Sequence, residues 1–169
     1  MVLSQNSQNH IIATIVENKP GVLFRVTNMI RRRGFNIESL SVGPLNDGSL
    51  ARMTLIVRGD EKTVELVARN LHKLVEVIKV KRLNLENSVL RELALIKINA
   101  EDSKTRTDLT HYVRIFRGRI VDVSPKTMTV EVTGDPKKIN AFLELTKGLG
   151  IREVARTGIV ALARGTESV

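Results

Sequence analysis

Two apolar periods alternate along this chain in one order, and the order runs twice. His10 to Glu17 is a β-branched run that suits a strand, whereas Val22 to Arg33 places Val22, Leu23, Val26, Met29 and Ile30 on one helical face. Asn36 to Val42 is a second strand, the turn formers Gly43-Pro44-Leu45-Asn46-Asp47-Gly48 follow, and Leu50 to Arg58 is a third, which makes a hairpin. Gly59-Asp60 supplies a break and an N-cap for a helix carrying Val64, Val67, Ala68, Leu71 and Leu74, and Val75 to Leu83 is the fourth strand.

After the polar linker Asn84 to Ser88 the pattern starts again. Leu93 to Ala100 reads as strand, Lys104 to Phe116 as a helix with Leu109, Tyr112, Val113 and Phe116 on one face, and Arg119 to Val123 as strand. Thr127 to Thr133 alternates, with Met128, Val130 and Val132 on one side, as a sheet with one wetted face requires. Gly134-Asp135-Pro136 repeats the break and cap, Ile139 to Lys147 is the helix and Ile151 to Leu162 the last strand. Arg-Gly ends the first helix of each half, at Arg33-Gly34 and Arg117-Gly118.

The order βαββαβ, run twice, predicts an α+β chain of two tandem ferredoxin-like domains, each an antiparallel four-stranded sheet with two helices on one face. The expected boundaries are a disordered tail over 1–8, a first domain over 9–83, a linker over 84–90, a second domain over 91–165 and a tail over 166–169.

Length and composition set limits on function. With 169 residues and 42% hydrophobic content the chain can bury a core, and no apolar run approaches the roughly 20 residues that span a bilayer. Met1 to Asn9 is short, polar and uncharged rather than built like a secretory signal, so the expected location is the cytoplasm, with no membrane partner. The absence of cysteine excludes disulfides, thiolate metal sites and a Cys nucleophile, and His10, His72 and His111 lack paired ligand spacing. The net charge of +9 suits nucleic acid, an acidic partner or solubility alike. An RNA-binding module of this plan stacks bases on aromatics of its central strands, yet Ile11 to Val16 and Leu50 to Val57 contain no Phe, Tyr or Trp. No nucleic-acid partner is expected. Carboxylates are scattered, and no Ser is coupled by spacing to a His, so no catalytic constellation is expected either.

The stretch that carries chemistry is Asn18 to Glu38. Its strand turns at Pro20-Gly21 directly into a helix, whose first N–H groups lack acceptors and whose dipole favours an anion, so the turn can hold a small carboxylate. The chain returns as Phe35-Asn36-Ile37, which can bring Asn36 near the loop of Asn18. Plainer roles exist for the same residues: Pro20-Gly21 as a helix entry, the two asparagines as turn and strand-start residues, and Arg31-Arg32-Arg33 as a solvated helix end. In the second half the corresponding turn is Glu101-Asp102-Ser103-Lys104, with no glycine to admit a ligand, which suits docking or scaffolding.

Asn18-Lys-Pro-Gly21, then Arg32-Arg-Gly-Phe-Asn-Ile-Glu-Ser-Leu40 and Arg52-Met-Thr54, resembles the amino-acid-binding ACT domain of the regulatory small subunits of acetohydroxyacid synthase, also called acetolactate synthase. Gly59-Asp-Glu-Lys62 and Leu71-His-Lys-Leu-Val75 continue the resemblance, and Ile115-Phe-Arg-Gly118, Ile120-Val-Asp-Val123 and Glu153-Val-Ala-Arg-Thr-Gly158 are similar to the C-terminal domain of those subunits. It covers about residues 9 to 165.

The resemblance implies a non-catalytic chain that activates a catalytic large subunit and confers feedback inhibition by L-valine. It implies no cofactor in this chain, with thiamine diphosphate, Mg and FAD on the catalytic partner. It also implies a homodimer or higher, with effector at an interface of paired ACT domains. The valine carboxylate would meet the backbone at Gly21 and Val22, the amides of Asn18 and Asn36 would bond the polar end, and Ile37 would line an apolar pocket; an amide offers both donor and acceptor to a zwitterion. Phe24 departs from the smaller residue that many relatives carry in the first helical turn. An ACT sensor that serves a different enzyme would share all of these features except the partner.

Overall fold

Ile11, Ala13 and Ile15 alternate with Ile12, Thr14 and Val16 along β1 (Gln8–Glu17), and all six are buried, so this strand lies inside its sheet with both faces covered. The computed structural model describes residues 8–169. Residues 1–7 of the expected tail fall outside them, and Gln8 already belongs to β1.

Around β1 the first unit adds α1 (Val22–Arg32), β2 (Ile37–Pro44), β3 (Leu50–Gly59), α2 (Glu61–Leu71) and β4 (Val77–Leu83). The strands pair antiparallel in the order β2-β3-β1-β4, the sequence-predicted split motif. Val22, Val26 and Ile30 of α1 and Val64, Val67 and Leu71 of α2 pack with Ile12, Val16, Met53, Leu55 and Val57 in one core. The helical spacing puts these apolar residues on one stripe, so each helix has a single way to lie down.

The second unit holds β5 (Ser88–Asn99), α3 (Ser103–Ile115), β6 (Arg119–Val123), β7 (Thr127–Gly134), α4 (Pro136–Thr146) and β8 (Ile151–Arg156) in the order β6-β7-β5-β8. Ala94, Ile96 and Ile98 meet Met128, Val130 and Val132 under Leu109, Val113, Ile139 and Phe142, with Phe116 edge-on to Phe142 at 5.3 Å.

Two local expectations change. The expected last strand Ile151 to Leu162 is two strands, β8 and β9 (Val160–Ala163), interrupted at Gly158 (φ 76°); β9 pairs β5, and Ile159–Val169 clusters with the residues up to Val89 rather than with Leu90–Gly158. The Arg-Gly helix ends also differ. In the first unit Gly34 takes the left-handed conformation (φ 72°), with Phe35 N–H donating to Ile30 O. In the second that conformation falls on Arg117 (φ 50°), and Gly118 N–H makes the equivalent bond to Val113 O. Gly118 is there for space, because a Cβ on it would lie 2.8 Å from Glu131 O.

Among the described residues, three of the four α-helices begin on an aspartate. Asp60, Asp102 and Asp135 accept from the backbone N–H of Thr63, Thr105 and Lys138, each at 2.8 Å. Hydrogen bonds from Thr63 and Thr105 hold the Asp60 and Asp102 carboxyls below their ordinary range. Their folded-state values are depressed, so their stabilisation is complete above the ordinary aspartate range and declines as pH falls below about 4. Asp135→Ala is expected to cost about 1 kcal/mol, read as a lowered urea midpoint for the second unit.

Candidate functional site

α1 is the exception among these helices. Its N-cap is Gly21, in the left-handed conformation (φ 87°), with no side-chain cap and no acidic residue in the first turn. A residue with a Cβ is strained there, and no side chain takes the place that aspartate fills at the other three helix starts. Val22 N–H reaches back to Lys19 O at 3.3 Å and Arg25 N–H to Gly21 O at 3.0 Å. First-turn N–H groups have no intrahelical acceptor, so this end presents donors and the positive end of the helix dipole without a resident anion.

Asn18 is fixed beside this opening. Its backbone N–H donates to Ser49 O and its Nδ2 to Gly48 O, both at 2.8 Å. The β2–β3 turn that supplies these carbonyls is itself tied, with Ser49 N–H and Oγ donating to the two Asp47 oxygens at 3.0 and 2.7 Å. Those bonds hold the Asp47 carboxyl below its usual range. Sequence reasoning missed this support from Gly48 and Ser49. The register Glu17 opposite Leu50 brings it about, and that register follows once β1 is placed centrally beside β3. On the helix side, Arg25 pairs with Glu76.

Within one chain the five predicted residues do not meet. Asn18, Gly21 and Val22 gather where β1 ends, beside Leu50 of β3. Ile37 pairs with Val57, toward the opposite end of β3, and Asn36 precedes it, with Nδ2 donating to Glu38 Oε1 at 2.9 Å. Seven residues of extended strand separate the two groups, about 24 Å. The expectation that Asn36 lies by the Asn18 loop of its own chain is therefore corrected: the hairpin carries β2 out to the sheet edge with its start at the far end. A cleft of about 590 Å³ lined by His10, Glu61, Arg82 and Leu85, among others, includes none of the five residues.

Val22 is buried and serves the core, while Ile37 is half-buried on an edge strand. Phe24 is 68% exposed, so its ring lies on the surface beside the helix start rather than filling the core. The opening therefore offers amide donors and acceptors and apolar surface. Among the described residues no group of three or more His, Asp or Glu side chains is placed to hold a metal ion, and no helix is long and apolar enough to cross a membrane.

Two ferredoxin-like units, the first with an uncapped glycine helix start where its central strand β1 ends, define an ACT-type regulatory chain. Comparison with known proteins agrees: residues 12–79 match the AHAS small subunit-like ACT domain and residues 91–165 match the small subunit of acetolactate synthase. Probable acetolactate synthase small subunits from Methanothermobacter thermautotrophicus and Archaeoglobus fulgidus are 48% and 52% identical, covering 99% and 94% of this chain and 100% and 98% of theirs. The crystal structure of an acetolactate synthase small subunit from Thermotoga maritima superposes with a TM-score of 0.88 at 42% identity, over 95% of this chain and 99% of that one. The chain belongs to the acetolactate synthase small-subunit family.

Proposed function

We propose that the chain binds L-valine at the α1 opening, activates a catalytic large subunit of acetolactate synthase, and transmits valine binding to it as feedback inhibition. The observation that carries this reading is the contrast at the helix starts, where three aspartates fill their own caps and Gly21 leaves its cap open. An α-amino acid brings the missing carboxylate, and its ammonium can meet the amide oxygens of Asn18 and Asn36. Thiamine diphosphate, Mg and FAD belong to the catalytic partner in this reading. This chain's part is binding and coupling.

The separated residues complete one site if two chains pair. β2 lies at the sheet edge, so two copies can join antiparallel through β2 about a twofold axis. That pairing sets the Ile37 end of one strand against the Pro44 end of its partner, the end near which Asn18 and Gly21 lie. Each dimer then has two sites, with Asn18, Gly21 and Val22 from one protomer and Asn36 and Ile37 from the other.

Calorimetric titration of purified chain with L-valine tests binding, and acetolactate formation with the large subunit, with and without valine, tests function. Asn18→Ala and Asn36→Ala should each weaken binding about tenfold, the loss of one or two hydrogen bonds. Mixed dimers of the two variants should regain one site of native affinity per dimer, because one of their two sites contains both native asparagines. Mixed dimers with no native-affinity site would mean that both asparagines of a site come from one protomer, against the paired arrangement.

A further inference from the structure

The face of the first sheet away from its helices carries a segment that the valine reading leaves unexplained. Alternation puts Ile11, Ala13 and Ile15 of β1, Arg52, Thr54 and Ile56 of β3, Ser39 and Ser41 of β2 and Lys81 of β4 on this face. Ile159–Val169 runs across it. Ile159 N–H donates to Ser39 Oγ at 3.1 Å, and Arg52 Nη2 donates to Ala161 O at 2.9 Å. Farther on, Arg164 N–H reaches Asn87 O at 2.9 Å, and Lys81 Nζ meets Glu167 at 2.9 Å and Ser168 O at 3.2 Å. The segment thus touches the edge strand, the hairpin's second strand and the far strand in turn.

Its anchors lie next to the proposed effector residues. Ser39 is two residues beyond Ile37 on β2, and Arg52 is three beyond Ser49, whose carbonyl holds Asn18. Arg52 is an unusual anchor, a guanidinium opposite Ile15 of β1, with its Nε buried and unpaired among the described residues. A cation in that setting depends on the carbonyl it reaches, so a shift of β3 against the segment is costly. At its other end the segment continues from β8, the last strand of the second unit, through Gly158.

We propose that Ile159–Val169 is the strap through which effector occupancy at β2 and β3 is transmitted to the second unit, with Ser39 and Arg52 as its positioning residues. The inference rests on the valine reading and adds its route. Ligand that draws β2 toward a partner chain moves Ser39, Ser39 moves Ile159, and Ile159 is the residue after the Gly158 joint. The energy required is the ordinary scale of allosteric coupling, a five- to 150-fold effect.

The test uses the complex with the catalytic large subunit, with wild type in parallel. Ser39→Ala/Arg52→Gln should bind valine within about twofold of wild type, while the ratio of uninhibited to valine-saturated activity falls toward one. Inserting Gly-Ser-Gly between Gly158 and Ile159 leaves every strap contact available but slackens the joint, and it should uncouple in the same way. It also guards against a double variant that folds poorly. In wild type, valine should change hydrogen exchange at the Ile159 and Arg164 amides, and in the double variant it should not change it at Ile159. Variants inhibited as fully as wild type overturn the strap, and so does loss of valine binding together with inhibition, which would place Ser39 and Arg52 in the site itself. A wild-type chain that neither binds nor answers to valine overturns the reading above and the strap with it.

Discussion

Gly21→Asp is expected to abolish the response to valine while leaving activation of the catalytic subunit intact. Space is not the reason, since a Cβ on Gly21 meets nothing within 4 Å. Nor is helix stability. The left-handed backbone at this position costs a non-glycine residue about 1–2 kcal/mol, but aspartate tolerates it better than most, and a carboxylate at a helix start returns part of the cost. What changes is charge at the point where the ligand's own carboxylate would sit. Two carboxylates about 4 Å apart at a partly solvated surface repel by roughly 4 kcal/mol, close to a thousandfold in affinity. Gly21→Asn separates this effect from shape, because it has the same outline without the charge and should lose far less. Calorimetric titration of both variants, with acetolactate formation measured alongside, distinguishes the two. A Gly21→Asp chain that binds valine as wild type does would remove Gly21 from the site.

The architecture was legible wherever one short-range pattern decided it. Alternation in Thr127 to Thr133, the 3.6-residue spacing of Val64, Val67 and Leu71, and the caps at Asp60 and Asp135 each depend on neighbours within a few residues, and each element stands where its pattern put it. What failed to show was set by pairing between distant segments. The stretch from Ile151 to Leu162 breaks at Thr157-Gly158, but nothing local reveals that the part after the break bonds to Ser39 of β2 and Arg52 of β3. The role of Gly118 depends on Glu131 O, thirteen residues on, so Arg117-Gly118 looked like Arg33-Gly34 although the left-handed residue had moved by one.

The site followed the same division. Gly21 as an open helix start was readable from Pro20-Gly21 and the helical spacing after it. The separation of Asn36 from Asn18 was not, because strand order and the hairpin register decide which end of the sheet each occupies. Identical residues in tandem order could sit side by side or 24 Å apart under two topologies. The remedy proposed here, a second copy paired through β2, rests on the one strand of those carrying the site that has a free edge in its sheet.

The largest stability effect is expected in the second unit, at a pair whose residues do not touch the proposed effector site. Glu92 of β5 has a side chain only 4% exposed and receives both arms of Arg156 of β8, Nε to Oε1 at 2.7 Å and Nη2 to Oε2 at 2.6 Å. The remaining Nη1 donates to Asn140 Oδ1 of α4 at 3.0 Å. The bonds that Arg156 donates to Glu92 hold its guanidinium above its already high ordinary pKa. The pair and its amide tie strand to strand and strand to helix. Removing one partner of a buried pair costs about 3–5 kcal/mol. Arg156 is 35% exposed and water screens it, so Arg156→Ala should fall near the lower end, about 3 kcal/mol. Without its partner Glu92 is a buried charge with no counter-ion, whereas Glu92→Gln/Arg156→Met, which buries no charge, should recover much of the loss. Tyr112 packs on this core and is the chain's sole tyrosine, with no tryptophan to mask it, so its fluorescence in a urea titration reports the second unit alone. Equal midpoints for Arg156→Ala and wild type at pH 8 would mean that the pair adds nothing beyond the packing around it.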